Sequence, residues 1–171
     1  MKISNQDLPL TPADHERMMR KALQQAQEAQ EEQEVPTGCV IVNLSEDREI
    51  PVGRIIARAH NQVETLSDPT AHAEMIAITQ AASALGDWRL TETALYVTKE
   101  PCAMCAGAIV LARIPLVVFG CDDPKRGGAV SIFNILNDKR LTHRATVLGG
   151  VLQDECAGIL KAFFLARRAA N

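Results

Sequence analysis

Apolar positions along the chain switch between a helical and an alternating period, and the switches outline ten elements. Thr11-Pro12-Ala13-Asp14 reads as a helix start, with Thr11 as cap, Pro12 at the first position and Asp14 completing a capping box. Met18, Ala22, Ala26 and Ala29 then share one face. The helix is expected to reach about Glu34, with residues 24–34 as a solvated face and Pro36 as the stop. Residues 38–43 and 54–61 read as strands joined by the polar loop 45–53, an antiparallel hairpin with a long connection. Ser67-Asp68-Pro69-Thr70 reads as a turn and cap before a helix over residues 71–85. A strand over 94–98 enters a helix over 102–113, and 116–120 is short, continuous and apolar, as a buried strand is. Residues 125–128 read as a flexible loop, 130–137 as a short helix, 145–148 as a fifth strand and 153–168 as a closing helix.

The order is α-β-β-α-β-α-β-α-β-α. Alternation of this kind implies crossover units and a largely parallel sheet with helices on both faces. With 171 residues and no internal repeat, the expectation is one domain over 1–171, with a tail at 1–10 and the last helix within 153–171. Residues 1–7 lack the apolar core of a signal peptide, and no run is long enough to span a membrane. Five cysteines form no disulfide framework, so a reducing, cytoplasmic setting is expected. Cys39, Cys121 and Cys156 read most simply as small core residues.

Charge adds one contrast. The net charge is −3, but residues 1–50 carry 5 basic and 10 acidic side chains, and residues 121–171 carry 8 and 5. The basic residues gather at Lys125-Arg126, Lys139-Arg140, His143-Arg144 and Arg167-Arg168. Such a chain can meet a polyanion on one face while remaining acidic as a whole; solvated surface arginines are the plainer reading.

The chemistry lies in His72-Ala73-Glu74 and Pro101-Cys102-Ala103-Met104-Cys105. His72, Cys102 and Cys105 are three ligands for one Zn2+, and three ligands leave a tetrahedral position open for water. Cys102 and Cys105 at i and i+3 converge if a helix begins near Pro101, and a helix N-terminus favours the thiolates that bind metal. Glu74, two residues after the histidine, is placed to handle that water's protons. A structural zinc site would need a fourth ligand, and no second Cys-x-x-Cys or His-x-x-His is present. A thiol redox pair would leave His72 and Glu74 without a role. Together the two halves match the zinc deaminase signature H-x-E…P-C-x-x-C.

From Val35 to Arg168 the chain resembles bacterial tRNA adenosine deaminases. The likeness rests on Val35-Pro36-Thr37-Gly38, Ala59-His60-Asn61, residues 68–74, Leu95-Tyr96-Val97-Thr98, residues 100–108, His143-Arg144 and Phe163-Phe164. The resemblance implies a three-layer α/β/α fold like that of cytidine deaminase, with a central five-stranded mixed sheet. It implies hydrolysis of adenosine to inosine at the wobble position of a tRNA anticodon stem-loop, with one zinc per subunit and no organic cofactor. It implies Glu74 as proton shuttle and Val35, Asn61, Asn134 and Pro101 toward the substrate. Lys125, Arg126, His143, Arg144, Arg167 and Arg168 are implied toward RNA, in a homodimer. Asp122-Asp123-Pro124 departs from the family by placing negative charge beside the RNA groove. Deamination of a free base or nucleoside, such as guanine or cytosine, would use the same metal site and is the alternative.

Overall fold

A computed structural model describes residues 10–170; most of the expected tail at 1–10 lies outside them. In chain order the elements are α1 (Pro12–Glu31), β1 (Gly38–Asn43), β2 (Ile55–His60), α2 (Val63–Leu66), α3 (Ala73–Leu85), β3 (Thr93–Lys99), α4 (Ala103–Leu111), β4 (Leu116–Cys121), β5 (Thr146–Leu148) and α5 (Gln153–Ala169). A 3-10 turn, Ile135–Asn137, precedes β5.

The strands form one mixed sheet in the order β2-β1-β3-β4-β5. β1 pairs antiparallel with both neighbours, while β3, β4 and β5 pair in parallel. Only β1 therefore runs against the other four strands. The consequence is positional: the carboxyl ends of β2, β3 and β4 and the start of β1 all open at one edge. Open α/β sheets bind ligands beyond their carboxyl ends.

Each sheet face has its own core. On one, Met18, Met19 and Ala22 of α1 and Cys156 and Leu160 of α5 meet Val40, Tyr96 and Val118. On the other, Ala73, Ala77 and Ala81 of α3 and Ala106 and Ile109 of α4 meet Ile41, Leu95 and Val117. These are alternate residues of the same strands, which is the period-2 rule at work. Burying a single Met or Leu contributes roughly 1.5–3 kcal/mol, so the two faces supply the drive to collapse. Gly38 and Gly120 are where helices come closest: a Cβ on Gly38 would enter the backbone of α1 at Ala22, and one on Gly120 would enter Cys156 of α5.

The N-terminus of α1 forms as its sequence predicts. The Thr11 side chain accepts from Asp14 N, and the Asp14 carboxylate accepts from Thr11 N at 2.9 Å. Its C-terminus differs. The helix stops at Glu31, Gln33 turns left-handed at φ 62°, and Glu34 N–H reaches back to Ala29 O at 2.8 Å. Gln33 N–H bonds Gln30 O, which completes a Schellman motif. Glu34 is thereby aimed inward and is 0% exposed, against the expectation of a solvated face.

Two further expectations are corrected. Residues 130–137 are not one helix: only the 3-10 turn at their end is helical. The amides of Ala129, Val130 and Ser131 point instead at the buried carboxylate of Glu100. The segment 125–128 is a tethered turn, not a flexible loop, because Gly127 N bonds Asp123 O and Gly128 N bonds Pro101 O, at 2.8 and 2.7 Å.

Candidate active site

His72 is the residue that caps α3, and Cys102 is the one that caps α4. Pro101 therefore sits one position before the cap, not at the first helical position. Neither side chain makes a capping hydrogen bond, and imidazole and thiol face each other. His72 Nδ1 lies 3.6 Å from Cys102 Sγ and 3.5 Å from Cys105 Sγ. Bonds of about 2.3 Å to sulfur and 2.0–2.1 Å to nitrogen around a tetrahedral ion give N···S separations of roughly 3.5–3.6 Å. The three atoms thus fit a single ion of zinc size, and they are the only such group among the described residues.

The local electrostatics prepare one thiolate. A hydrogen bond from Cys105, with His72 adding to it, pulls the Cys102 thiol down to about 3 against the effect of burial. The same bond and burial push Cys105 up, and the bond to Cys102 raises His72. Glu74, in the first turn of α3, is 3% exposed. Burial lifts its carboxyl above the ordinary range, partly opposed by its own backbone N–H and by His72. A carboxyl tuned upward near its working pH is suited to passing protons.

His72, Glu74 and Cys102 line a cavity of about 270 Å³. Val35, Thr37 and Asn61 form its wall, and Lys99, Asp123 and Arg126 stand at its mouth. This is just below the roughly 300–1,000 Å³ usual for small-molecule sites, room for a base and little more. The mouth opens into a groove of about 650 Å³, which shares Val35, Lys99, Asp123 and Arg126 and adds Lys125, Phe164, Arg167 and Arg168.

The sequence candidates are therefore sorted by position. Val35 and Asn61 line the cavity. Lys125, Arg126, Arg167 and Arg168 converge on the groove although more than 40 positions separate the two pairs. His143 and Arg144 do not join them; the His143 ring bonds Ile114 O at 2.8 Å and Arg144 is exposed. Pro101 is buried behind Cys102, and Asn134 is exposed before the 3-10 turn; neither lines the cavity or the groove. Cys121 lies in the α1–α5 core and not on the cavity wall.

Four residues that sequence reasoning did not place in the site complete it. Glu100 accepts from the amides of Asp123, Ala129, Val130 and Ser131 and from the Ser131 hydroxyl. Burial would raise its carboxyl, but these bonds hold it below the ordinary range. Residues 127–128 are thereby packed between Glu100 and the metal site: a Cβ on Gly127 would collide with the Glu100 carboxylate, and one on Gly128 with the backbone of Cys102. Asp123 pairs with Lys99 at 2.7 Å, which neutralises its share of the negative charge expected beside the groove, while Asp122 is exposed. Glu34 takes Asn61 Nδ2–H at 3.0 Å and the α2 amides of Glu64 and Thr65 at 3.2 and 2.6 Å. Only Asp123 carried a sequence signal, its charge.

Residues 13–168 match the model of the MafB19-like deaminase family. The chain is 50% identical over 146 residues to a tRNA-specific adenosine deaminase of Bacillus subtilis (strain 168), covering 85% of this chain and 86% of that one. Among solved structures it is similar to one from studies of A-to-I editing by tRNA deaminases at the wobble position of transfer RNA. That likeness has TM-score 0.76 and 42% identity, over 84% of this chain and 98% of the other. A guanine deaminase from Bacillus subtilis is a more distant likeness, with TM-score 0.57 and 31% identity over 91% and 94%.

Proposed function

Because this chain belongs to the tRNA-specific adenosine deaminase family, we propose that it converts adenosine to inosine at the wobble position of a tRNA anticodon loop, with one zinc ion held by His72 Nδ1, Cys102 Sγ and Cys105 Sγ. Zinc with three protein ligands supplies a water whose pKa falls from about 15.7 toward ~7. Glu74 takes the proton from the water that attacks C6. It passes that proton to the ring nitrogen, then carries the proton of the new C6 hydroxyl to the leaving amine, so that the C–N bond breaks, the C6 carbonyl forms, water is consumed and ammonia and inosine are released.

The observation that carries the RNA reading is the shared rim: a base-sized cavity with Lys99 and Arg126 at its mouth opens directly into a groove with three further cationic side chains, Lys125, Arg167 and Arg168. An enzyme for free guanine or cytosine has no use for such a groove. Extruding a base from a single-stranded loop costs less than from a duplex, which suits an anticodon loop. The test is a matched set: a stem-loop with wobble adenosine, the same loop with the adenosine moved, and free adenosine, guanine and cytosine. Conversion of the wobble loop alone is expected; turnover of a free base with none of the loop would overturn the substrate.

Arg167→Glu with Arg168→Glu is expected to weaken loop binding at least tenfold at low salt. The salt dependence should become shallower by about one unit for each phosphate that is no longer neutralised. Zinc content should not change. Equal affinity and an unchanged slope would remove α5 from the RNA surface.

For the homodimer we assign the second copy to the apolar face of α4. A shallow groove of about 610 Å³ lies there between Met75, Met104, Leu111, Ile135 and Leu141, and Leu111 is 73% exposed. Patches of this kind mark interfaces. Leu111→Glu is expected to halve the mass seen by light scattering while one zinc per chain remains. A variant that stays dimeric would place the interface elsewhere. Action on tRNA sets the enzyme in the cytoplasm. No helix among the described residues is long and apolar enough to cross a membrane.

A further inference from the structure

We propose that Glu34 is a positioning residue that fixes which end of the Asn61 amide faces the bound base, and that it thereby helps the pocket prefer adenosine over inosine. This rests on the adenosine reading above.

Glu34 is wholly buried, yet nothing in its surroundings is a cation bonded to it: its partners are Asn61 Nδ2, Glu64 N and Thr65 N. Burial would raise its carboxyl, but the Thr65 and Glu64 amides, with the Thr65 hydroxyl and nearby His60 adding to them, hold it below the ordinary range, so it is a carboxylate at neutral pH. A carboxylate only accepts. The Asn61 atom 3.0 Å away must then be nitrogen, and the amide has one permitted orientation. The backbone of Asn61 is held separately, its N–H on Thr37 O at 3.0 Å.

The other end of the amide is unspent. Among the described residues Asn61 Oδ1 accepts from no group, and Asn61 is 7% exposed. Among the described residues Arg48 Nε is the one fully enclosed side-chain nitrogen or oxygen without a partner. Oδ1 is therefore not fully enclosed, and the space it can reach is the cavity that Asn61 lines. The wall offers a fixed acceptor. Adenine carries an exocyclic amine that donates; inosine carries a carbonyl at that carbon, which only accepts. A fixed acceptor attracts the first and gives the second nothing, so substrate is held and product is released.

Glu34→Gln removes the constraint. A glutamine can present oxygen or nitrogen to Asn61, and both amide orientations become available. The readout is the ratio of Kd values for stem-loops with inosine and with adenosine at the wobble position. It is measured in zinc-loaded Glu74→Ala protein so that adenosine persists. Glu34→Gln is expected to lower that ratio by about tenfold, the scale of one buried group left unpaired. Damage to the fold would weaken both loops together and leave the ratio alone. In an Asn61→Ala background the ratio should already be low, and adding Glu34→Gln should not move it. A ratio kept in Glu34→Gln, or a further fall in Asn61→Ala, overturns the proposal. Should Glu34→Gln not fold, Glu34→Asp is compared in the same two backgrounds: a change seen only with Asn61 present supports the role, and any other pattern overturns it. Protein that binds neither loop would overturn the tRNA reading itself, a distinct failure.

Discussion

Glu74→Ala is expected to lower turnover of a wobble-adenosine loop by about 10⁴-fold with one zinc per chain retained, the upper end of the range for general acid–base catalysis. That is roughly 5 kcal/mol of transition-state stabilisation. The upper end applies because the same carboxyl would take the water's proton and then serve both the ring and the amine. Zinc should stay because Glu74 is outside the His72, Cys102 and Cys105 group. The substitution should also separate function from stability. Burial raises the Glu74 carboxyl in the folded chain, so its ionised form is disfavoured there. In metal-free protein the penalty is absent at low pH, where the group is protonated folded or unfolded. It grows as pH rises through the raised folded value. Glu74→Gln should therefore gain stability over wild type at pH 8 more than at pH 4, while turnover is lost. Normal deamination by Glu74→Ala would refute the shuttle role.

Stripping the metal should abolish turnover completely and restore it on adding back zinc, with the protein folded throughout. Cys105→Ser should reproduce the loss and resist rescue. The expected fall in melting temperature follows from linkage: an ion at 1,000 times its Kd stabilises by about 4 kcal/mol, or roughly 8–16 °C for a chain of this size. The chain should survive that loss because its two cores are packed from both sheet faces without help from the site. Affinity should fall in acid as the thiols protonate. Full activity in demonstrably metal-free protein would end the zinc proposal, and global unfolding on chelation would mean that the site is structural.

What could be read in advance was whatever is local. Thr11 and Asp14 cap α1 from three residues apart, β1 alternates its faces between two cores, and His72 and Cys102 sit at helix starts, each signalled within a few positions. The misreadings have one cause. Glu34 gathers the amides of α2 from 30 residues away, so a four-residue helix forms whose own cap residue, Gln62, makes no side-chain bond. Glu100 gathers amides 29 to 31 residues ahead and straightens a segment whose composition suggests a helix. A buried carboxylate that organises distant backbone leaves no periodic trace. The joining of Arg126 and Arg168 across one groove, and the exclusion of Arg144 from it, are likewise products of topology that charge counts do not contain.

The anchoring of residues 123–131 on Glu100 bears on how such an enzyme can change its target. Lys125 and Arg126 stand on a segment whose base is clasped by a side chain from the end of β3 and pressed against a metal ligand's own backbone. The segment is not a module. A loop grafted from a relative would bring its surface charges but leave its anchor behind, and the graft would be felt at Cys102 before it was felt by any RNA. New specificity should therefore be sought by exchanging residues 99–131 as one block, or by altering exposed side chains on the existing backbone.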